Sequence, residues 1–487
     1  GSRNVKHIVR CRTDDQIVMD VDWVVVGTFF LAGLAAILLV TFSTFRKGPR
    51  SNVTVVVLGD IGRSPRMQYH AISLARKGCF VSLVGYAGTA PLDEVMESPR
   101  IHIQHIDSCA PPAYLPFVIR AVLHVITGCF KLLVVLLWRT PPANLLLLQT
   151  PPAIPVLLIA LVACFFRRSG WRRPALVVDY HNFGYSLLSL KLGQKHPFVR
   201  LHYMYERFLG RFADANFCVT DAMQKFLVGW TIGAVPLHDR PASLFRPTPL
   251  LAQHALFERL REAGDLRGLD PWWPSEGTLF TVTKAGVASP APQRPKLVVS
   301  STSWTPDEDL GQVLDALPAL DALLQAADQS LVVAVTGRGD MRAAFEARVA
   351  ELSQNLKAIL VITLWLSFTD YAHLLGSADL GLSLHTSSSG LDLPMKVLDM
   401  FGSGLPVCAR NFRALPELVR HRENGYVFES TEQLTSCLAL ALGVSSETTN
   451  EMPRLRKAVA EFRLDGWDGT WDRVAWPCLS RWLSPSV

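Results

Sequence analysis

The chain lacks the cysteine patterns of disulfide-rich or zinc-stabilised proteins. Its 487 residues include nine cysteines, with no C-x-x-C pair and no tight cluster of cysteine with histidine. Most of these cysteines lie in apolar stretches, which predicts buried, reduced thiols and a bulk that faces the cytosol. The chain also lacks the Gly-x-Gly-x-x-Gly fingerprint of dinucleotide sites, which disfavours an oxidoreductase.

Charge is scarce and only mildly unbalanced. Charged residues make up 18% of the chain and apolar residues 49%, and the net charge is +6. Without a dense basic stripe, this excess fits phosphate ligands or an anionic membrane better than nucleic acid. The mean hydropathy of +0.23 is high for a soluble enzyme, so we expect some apolar surface to face lipid.

Residues 23–45 contain no charged side chain. Roughly 20 apolar residues in a helix cross the hydrocarbon core of a bilayer, so this run predicts an N-terminal transmembrane helix. The run is longer than the apolar core of a secretory signal, and basic residues rather than a cleavage motif follow it. The balance of Lys and Arg leans towards a cytosolic position for the rest of the chain.

Beyond the anchor, short apolar strands alternate with helices in two series. Such alternation predicts an α/β protein with two Rossmann-like, doubly wound parallel sheets and a ligand cleft between them. The first series of strands is 53–59, 80–86, 101–106, 144–149, 175–180 and 215–220, and the second is 296–301, 330–337, 358–363, 380–385 and 405–409.

Shifts in composition divide the chain into six predicted parts. These are a mobile flank (1–22), the anchor (23–45), an N-terminal acceptor domain (51–240), a linker with a mobile insertion (246–295), a C-terminal nucleotide-sugar domain (296–450) and C-terminal helices that dock back (451–487). Two apolar stretches, 114–138 and 154–166, fit either buried helices or a face that dips into the membrane.

The run LGDIGRSPRMQYHA (58–71) follows the first strand and opens a helix. Gly62 would let backbone amides approach a ligand, and the N-terminus of a helix favours an anion. Arg63 and Arg66 add positive charge, so we predict an anion site for the acceptor. The alternative is an ordinary strand-to-helix turn with surface arginines.

The run VVDYHNFGYS (177–186) places polar side chains at the end of another strand. Asp179 and His181 are two residues apart and share a face of an extended segment. A histidine oriented by a carboxylate can act as a general base, so both are candidate catalytic residues. Asn182 and Tyr185 are candidate acceptor ligands. A purely structural Asp–His hydrogen bond is the alternative.

The second half contains a candidate nucleotide site. Gly337 and Gly339 follow a strand and open a helix, although a lone Gly-x-Gly is weak on its own. Lys396 and Asp399 are three residues apart and therefore lie on one helical face. A lysine can meet a diphosphate, and an aspartate can accept the hydroxyls of a ribose.

The turn before that helix predicts a phosphate nest. Ser388, Ser389 and Gly390 offer hydroxyls and backbone amides together. In the run Asp307-Glu308-Asp309 the acids fit a helix N-terminus better than a metal site. Trp365 fits either the edge of a bound base or core packing.

These motifs resemble those of GT-B glycosyltransferases, and in particular the mannosyltransferases that build the lipid-linked precursor of N-glycans. The resemblance covers about 53–476, and its most specific runs are 58–71, 181–186, 300–310 and 385–402. GT-B enzymes often carry a Glu-x7-Glu pair. Here Asp399 stands at the second acid and Leu391 at the first, which leaves the contacts to the sugar hydroxyls partly unassigned.

The resemblance implies transfer of mannose from GDP-mannose to chitobiosyl-diphosphodolichol, with inversion to a β-1,4 linkage and no metal. It implies a single-pass protein of the endoplasmic reticulum membrane with its catalytic domains on the cytosolic face. It also allows a complex with other mannosyltransferases of the dolichol pathway. The alternatives are a retaining GT-B enzyme acting on another lipid-linked acceptor and a non-catalytic GT-B membrane partner.

Overall fold

The computed structural model describes residues 51–107, 117–167, 173–305, 308–446 and 451–483. The predicted flank and transmembrane anchor lie outside these ranges. In the ranges that are described, every helix is too short or too polar to cross a bilayer.

The first domain is built on a seven-stranded parallel sheet in the order β3-β2-β1-β4-β5-β6-β7. The strands are β1 Asn52–Asp60, β2 Phe80–Tyr86, β3 Ile101–His105, β4 Leu145–Thr150, β5 Ala175–Tyr180, β6 Ala215–Cys218 and β7 Val235–Pro236. The helices are α1 Pro65–Arg76, α2 Asp93–Glu97, α3 Phe117–Val134, α4 Val156–Phe166, α5 Gly184–Leu192, α6 Pro197–Leu209 and α7 Asp221–Gly229.

The second domain has a six-stranded parallel sheet in the order β12-β11-β10-β13-β14-β15. The strands are β10 Lys296–Ser301, β11 Leu331–Thr336, β12 Ile359–Leu364, β13 Leu380–Ser383, β14 Val407–Arg410 and β15 Gly425–Phe428. The helices are α9 Gly311–Ala326, α10 Arg342–Ser353, α11 Phe368–Leu375, α12 Met395–Gly402 and α13 Thr431–Leu442.

Each strand predicted from an apolar run is confirmed within two residues at either end. Strands buried on both faces read as continuous apolar runs, which is why the pattern locates them well. The strand order reverses between β1 and β4 in one sheet and between β10 and β13 in the other. Ligands of open α/β sheets bind at such points, beyond the carboxyl ends of the strands.

The segment 246–295 differs from the mobile insertion that its composition suggested. It contains α8 (Leu250–Glu262) and an antiparallel hairpin of β8 (Thr281–Lys284) and β9 (Val287–Pro290). Phe257 and Phe280 lie 4.3 Å apart between ring centroids and belong to the core of the second domain. The segment is therefore held by buried apolar side chains.

The last two described helices connect the domains. Helix α14 (Met452–Leu464) packs on α12 of the second domain, and α15 (Trp467–Leu479) packs on α1 of the first. Trp467 and Trp471 lie in the core of the first domain beneath α1. The last described helix, α15, thus belongs to the core of the first domain.

Candidate active site

The carboxylate of Asp179, at the end of β5, is fully buried and accepts hydrogen bonds from three side chains. Arg66 on α1 donates from Nε and Nη2 to its two oxygens, at 2.8 and 2.9 Å. The Nε2 atoms of His70 and His181 lie 3.2 and 3.0 Å from its Oδ2. The structure therefore brings Asp179 and His181 together, as the sequence predicted.

Burial raises the pKa of Asp179, but the charge of Arg66 and the bonds from His181 and His70 outweigh it. The net effect holds that pKa well below its usual range, so Asp179 is ionised. An ionised carboxylate can only accept hydrogen bonds. Both imidazoles therefore carry a proton on Nε2, and the Nδ1 of a neutral His181 is left as an acceptor.

The tautomer of His70 is fixed by a hydrogen bond at its other ring nitrogen, Nδ1. The indole Nε1 of Trp471 donates to Nδ1 of His70 at 3.0 Å. An indole nitrogen only donates, so Nδ1 of His70 carries no proton. Burial lowers the pKa of His70, which keeps this ring neutral. Helix α15 thereby positions His70, a hydrogen-bond partner of Asp179.

The prediction that Arg66 contacts an acceptor diphosphate is wrong. Its side chain is buried, and Nη1 donates to Asp239 Oδ1 at 2.7 Å and to the carbonyl of Leu237 at 2.8 Å. Together with the bonds to Asp179, these contacts engage all three of its nitrogens. Arg66 points towards the sheet because α1 packs on β1 with this face.

Arg63 and Gly62 differ in their availability to a ligand. The Arg63 side chain is 81% exposed, although its Nε lies 3.5 Å from Asp60. The amide of Gly62 donates to Asp60 Oδ1 at 3.0 Å. A Cβ on Gly62 would lie 2.3 Å from the carbonyl oxygen of Thr89. Glycine is thus required by the packing of two loops, and the predicted role of its amide in binding a ligand stays a prediction.

Gly337 and Gly339 are also explained by packing. A Cβ on Gly337 would lie 1.8 Å from the carbonyl oxygen of Thr302, and one on Gly339 would lie 2.4 Å from that of Ser303. The loop after β10 therefore crosses the loop after β11 at backbone contact. Packing alone thus accounts for both glycines, and their predicted role in letting the backbone close on a nucleotide stays a prediction.

Asp399 and Lys396 occupy the predicted helix α12 but bind different partners. The hydroxyl of Tyr371 donates to Asp399 Oδ2 at 3.4 Å and lies 2.9 Å from that of Ser301. Burial raises the pKa of Asp399 to about 7, against opposing contributions from Tyr371 and Lys396. Lys396 forms an ion pair with the buried Glu308.

Glu308 joins the helix α12 to the loop that follows β10. Its Oε2 accepts from the hydroxyl of Thr302 at 2.6 Å and from the amide of Ser303 at 2.7 Å. Lys396 Nζ also lies 3.4 Å from the hydroxyl of Ser303. The lysine is therefore held at the carboxyl end of β10, where the strand order reverses.

The loop 387–391 forms its hydrogen bonds internally instead of opening a phosphate nest. The amide of Gly390 donates to the hydroxyl of Ser387 at 2.9 Å, and that of Leu391 to Ser389 at 3.2 Å. The hydroxyl of Ser389 donates to Asp392 at 3.1 Å. The amides of Gly390 and Leu391 thus already have partners, which differs from the predicted arrangement.

Ser388 links the two domains. Its hydroxyl lies 3.2 Å from that of Ser186 and accepts from Asn182 Nδ2 at 3.4 Å. Asn182 also accepts from the amide of Phe183 at 2.7 Å, which starts α5. The loop that carries His181 is therefore in direct contact with the serine loop of the second domain.

Tyr185 belongs to an aromatic cluster in the first domain. Its ring centroid lies 5.1 Å from that of Tyr203 and 6.0 Å from that of Trp230. Nearby, the buried Glu206 accepts from the amide of Gly184 at 2.7 Å, and burial raises its pKa to about 8. Tyr185 is half-buried, and its predicted role as an acceptor ligand stays a prediction.

A second contact between the domains involves Glu417. Its two oxygens accept from the amides of Asp221 and Ala222, both at 2.7 Å, at the N-terminus of α7. Among the described residues, Asp221, His238 and Glu417 bring three potential metal ligands within 4.8 Å of one another. Because both oxygens of Glu417 already accept from amides of the first turn of α7, this arrangement is explained without an ion.

Sequence reasoning missed four residues of the site and misassigned a fifth. His70, Trp471, Tyr371 and Asp392 gave no recognisable signal, because their partners are distant in the chain or because their types are common in cores. Glu308 was visible as an acid, but it was assigned to a helix terminus. Trp365 is exposed, which excludes the core-packing interpretation.

Two Rossmann-like domains with polar side chains gathered at the facing strand ends define a GT-B glycosyltransferase. A family model described as Glycosyl transferases group 1 matches residues 294–442. Sucrose-phosphate synthase from Thermosynechococcus elongatus superposes with a TM-score of 0.58 at 14% identity, covering 88% of this chain and 98% of that one. Anabaena HepE in complex with UDP gives 0.55 at 13%, with coverages of 88% and 100%. These likenesses establish the fold.

Sequence relatives identify the family. The chitobiosyldiphosphodolichol beta-mannosyltransferase of Homo sapiens is 41% identical over 459 residues, 92% of this chain and 96% of the relative. That of Mus musculus is 40% identical, with coverages of 89% and 90%. UDP-glycosyltransferase TURAN of Arabidopsis thaliana is 39% identical, with coverages of 90% and 99%. The chain belongs to the chitobiosyldiphosphodolichol beta-mannosyltransferase family and is a glycosyltransferase.

Replacing Arg66 by methionine should destabilise the first domain strongly. The variant keeps most of the side-chain volume but leaves the buried carboxylate of Asp179 and the partly buried one of Asp239 without this cation. Removing one partner of a buried ion pair costs about 3–5 kcal/mol of unfolding free energy. Denaturant unfolding measures the loss. The exposed Arg63→Met is the matched control and should change stability by no more than about 0.5 kcal/mol; equal effects of the two variants would contradict the assignment.

Proposed function

We propose that the chain transfers mannose from GDP-mannose to chitobiosyl-diphosphodolichol and forms a β-1,4 linkage with inversion. This reaction adds the first mannose to the lipid-linked precursor of N-glycans. The names of the relatives support the acceptor and the β product. The hydrogen bond between Asn182 and Ser388 is the structural observation that supports the proposal most directly, because it brings the loop of His181 into contact with the second domain.

The proposed donor site lies in the second domain. Asp399 is placed to accept the ribose hydroxyls, and Lys396 to meet the diphosphate beside Ser388 and Ser389. In support, Asp399 accepts a hydrogen bond from Tyr371, and Lys396, on the same face of α12, pairs with Glu308 at the carboxyl end of β10. A charge-assisted hydrogen bond from an ammonium to a phosphate is stronger than a neutral one.

The proposed base is His181, acting through Nδ1. The acceptor hydroxyl attacks the anomeric carbon in line, the new C–O bond forms as the bond to GDP breaks, and the proton passes to His181 Nδ1. The anionic Asp179 stabilises the imidazolium that results, through the bond at Nε2. Lys396 stabilises the charge on the departing diphosphate. No step of this mechanism uses a metal ion.

The proposed acceptor site lies in the first domain, where Arg63 offers the exposed positive charge for the diphosphate. Asn182 and Tyr185 flank the position of the sugar. A lipid-linked acceptor implies work at a membrane, and we place the protein at the endoplasmic reticulum with both domains on the cytosolic face.

The product of the purified protein tests the proposal directly. With GDP-mannose and a chitobiosyl-diphosphate lipid, we expect a single added mannose whose anomeric carbon is β in the NMR spectrum. An α product would assign a retaining enzyme. Transfer from a UDP-sugar instead would overturn the proposed donor.

Replacing His181 by alanine should cut turnover by about 10²–10⁴-fold, the usual contribution of a general base. GDP-mannose binding should be unchanged in calorimetry, because His181 lies in the other domain. The exposed His102→Ala is the matched control and should retain full turnover. Unchanged turnover in His181→Ala would remove this residue from the role.

The affinity for GDP-mannose should rise with pH because of Asp399. Its pKa is raised to about 7, so below that pH the carboxyl is protonated and must lose a proton to accept two ribose hydroxyls. Below the pKa, each pH unit should therefore cost up to about tenfold in affinity. Calorimetry from pH 5.5 to about 8.5 in the His181→Ala background measures this without turnover. Adding Asp399→Asn should give a weaker and flat profile; an unchanged slope would exclude Asp399 as its source.

A further inference from the structure

Helix α6 and the turn after it present an apolar stripe to solvent. The α6 stripe consists of Phe198, Leu201, Met204, Phe208 and Phe212, each between 51% and 62% exposed. These positions recur every three or four residues and therefore lie on one side of the helix.

The inward side of α6 mixes polar and apolar side chains, and Tyr203, Tyr205 and Leu209 pack against the core of the first domain. It carries Tyr203 and the buried Glu206, alongside Val199. A helix on the surface of a water-soluble domain normally buries its apolar side and exposes its polar side. Helix α6 packs on the core and also exposes a row of large apolar side chains, so its outward side suits surroundings other than water.

The neighbouring helices extend this apolar surface. Leu190 on α5 and Phe165 on α4 are also exposed by more than half. Tyr205 couples α6 to α4, because its hydroxyl accepts from the amide of Leu158 at 3.1 Å and donates to the carbonyl of Pro155 at 3.2 Å. A contiguous patch of this kind marks an interaction surface, unlike single scattered residues.

Within residues 184–212, the exposed charges all have one sign. The basic rim consists of Lys191, Lys195, Arg200, Arg207 and Arg211. The one acid between 184 and 212 is Glu206, which is buried. In the part of the chain that the structure describes, no member of the rim forms a salt bridge with a carboxylate. The surface therefore complements an anionic partner.

We propose that the α6 stripe and the basic rim lie on a bilayer that contains anionic phospholipids. Apolar and aromatic side chains of an interfacial helix enter the boundary between headgroups and acyl chains, while Lys and Arg contact the headgroups. A bilayer offers both kinds of contact along the whole length of α6. The inference does not depend on the identity of the sugar donor or acceptor.

A fluorescent probe at position 208 of the full chain tests the proposal. Phe208 is replaced by an environment-sensitive fluorescent amino acid, and the protein is reconstituted in vesicles of phosphatidylcholine and phosphatidylserine. We expect a blue-shifted emission that lipids with a nitroxide on the acyl chain quench. The matched control carries the same probe at Leu464, which is 86% exposed, and its emission should be unaffected.

Charge-reversal variants distinguish the contribution of the basic rim to membrane binding from that of the α6 stripe. Each basic side chain near an anionic surface contributes about fivefold to membrane binding. Arg200→Glu with Arg207→Glu should therefore greatly reduce the quenching at position 208. The exposed pair Lys284→Glu with Lys357→Glu, in the second domain, is the control and should leave it unchanged.

Absence of quenching at position 208 in these vesicles would overturn the proposal, because lipid is the one partner present; the stripe would then belong to a protein interface. Equal quenching at positions 208 and 464 would also overturn it. Neither result bears on the proposed transfer reaction, since the product assay reports that separately.

Discussion

The ionised carboxylate of Asp179 is the constraint on which the first domain depends. A buried charge is tolerated only when it is paired and its hydrogen bonds are satisfied. Here the compensation comes from Arg66, His70 and His181, while Asp239 balances the remaining charge of Arg66. One buried group thereby fixes the relative positions of α1, the end of β5 and the segment after β7, and it holds the imidazole of His181 at the edge of the cleft.

This constraint extends to the far end of the chain. Trp471 fixes the tautomer of His70, and Trp467 donates from Nε1 to the hydroxyl of Ser73 at 3.1 Å. Helix α15 is thus part of the first domain, although the second domain precedes it in the sequence. The chain therefore passes from the first domain to the second and then back to the first. These two connections link the domains in addition to the contact between Asn182 and Ser388.

The sequence predicted the features that depend on local pattern and missed those that depend on distant partners. Apolar runs located the strands, and the two-residue spacing of Asp179 and His181 placed them on one face. Arg66 looked like a ligand of the acceptor diphosphate because its protein partners lie 113 and 173 positions away. Gly337 looked like a ligand site because the loop that crosses it, at Thr302, cannot be located from the sequence. Glu308 was assigned to a helix end for the same reason, since Lys396 is 88 positions away.

The loop that carries His181 is in direct contact with α6, which gives the exposed apolar stripe of α6 a consequence for the cleft. Glu206, on the inward side of α6, accepts from the amide of Gly184 at the start of α5. A Cβ on Gly184 would lie 2.7 Å from His202 Nε2, so α5 and α6 pack at the closest distance that a glycine allows. Asn182 and His181 immediately precede this junction. Any surface that binds α6 therefore also constrains the position of the loop that carries His181. A membrane bound to α6 would orient the cleft towards molecules embedded in that membrane.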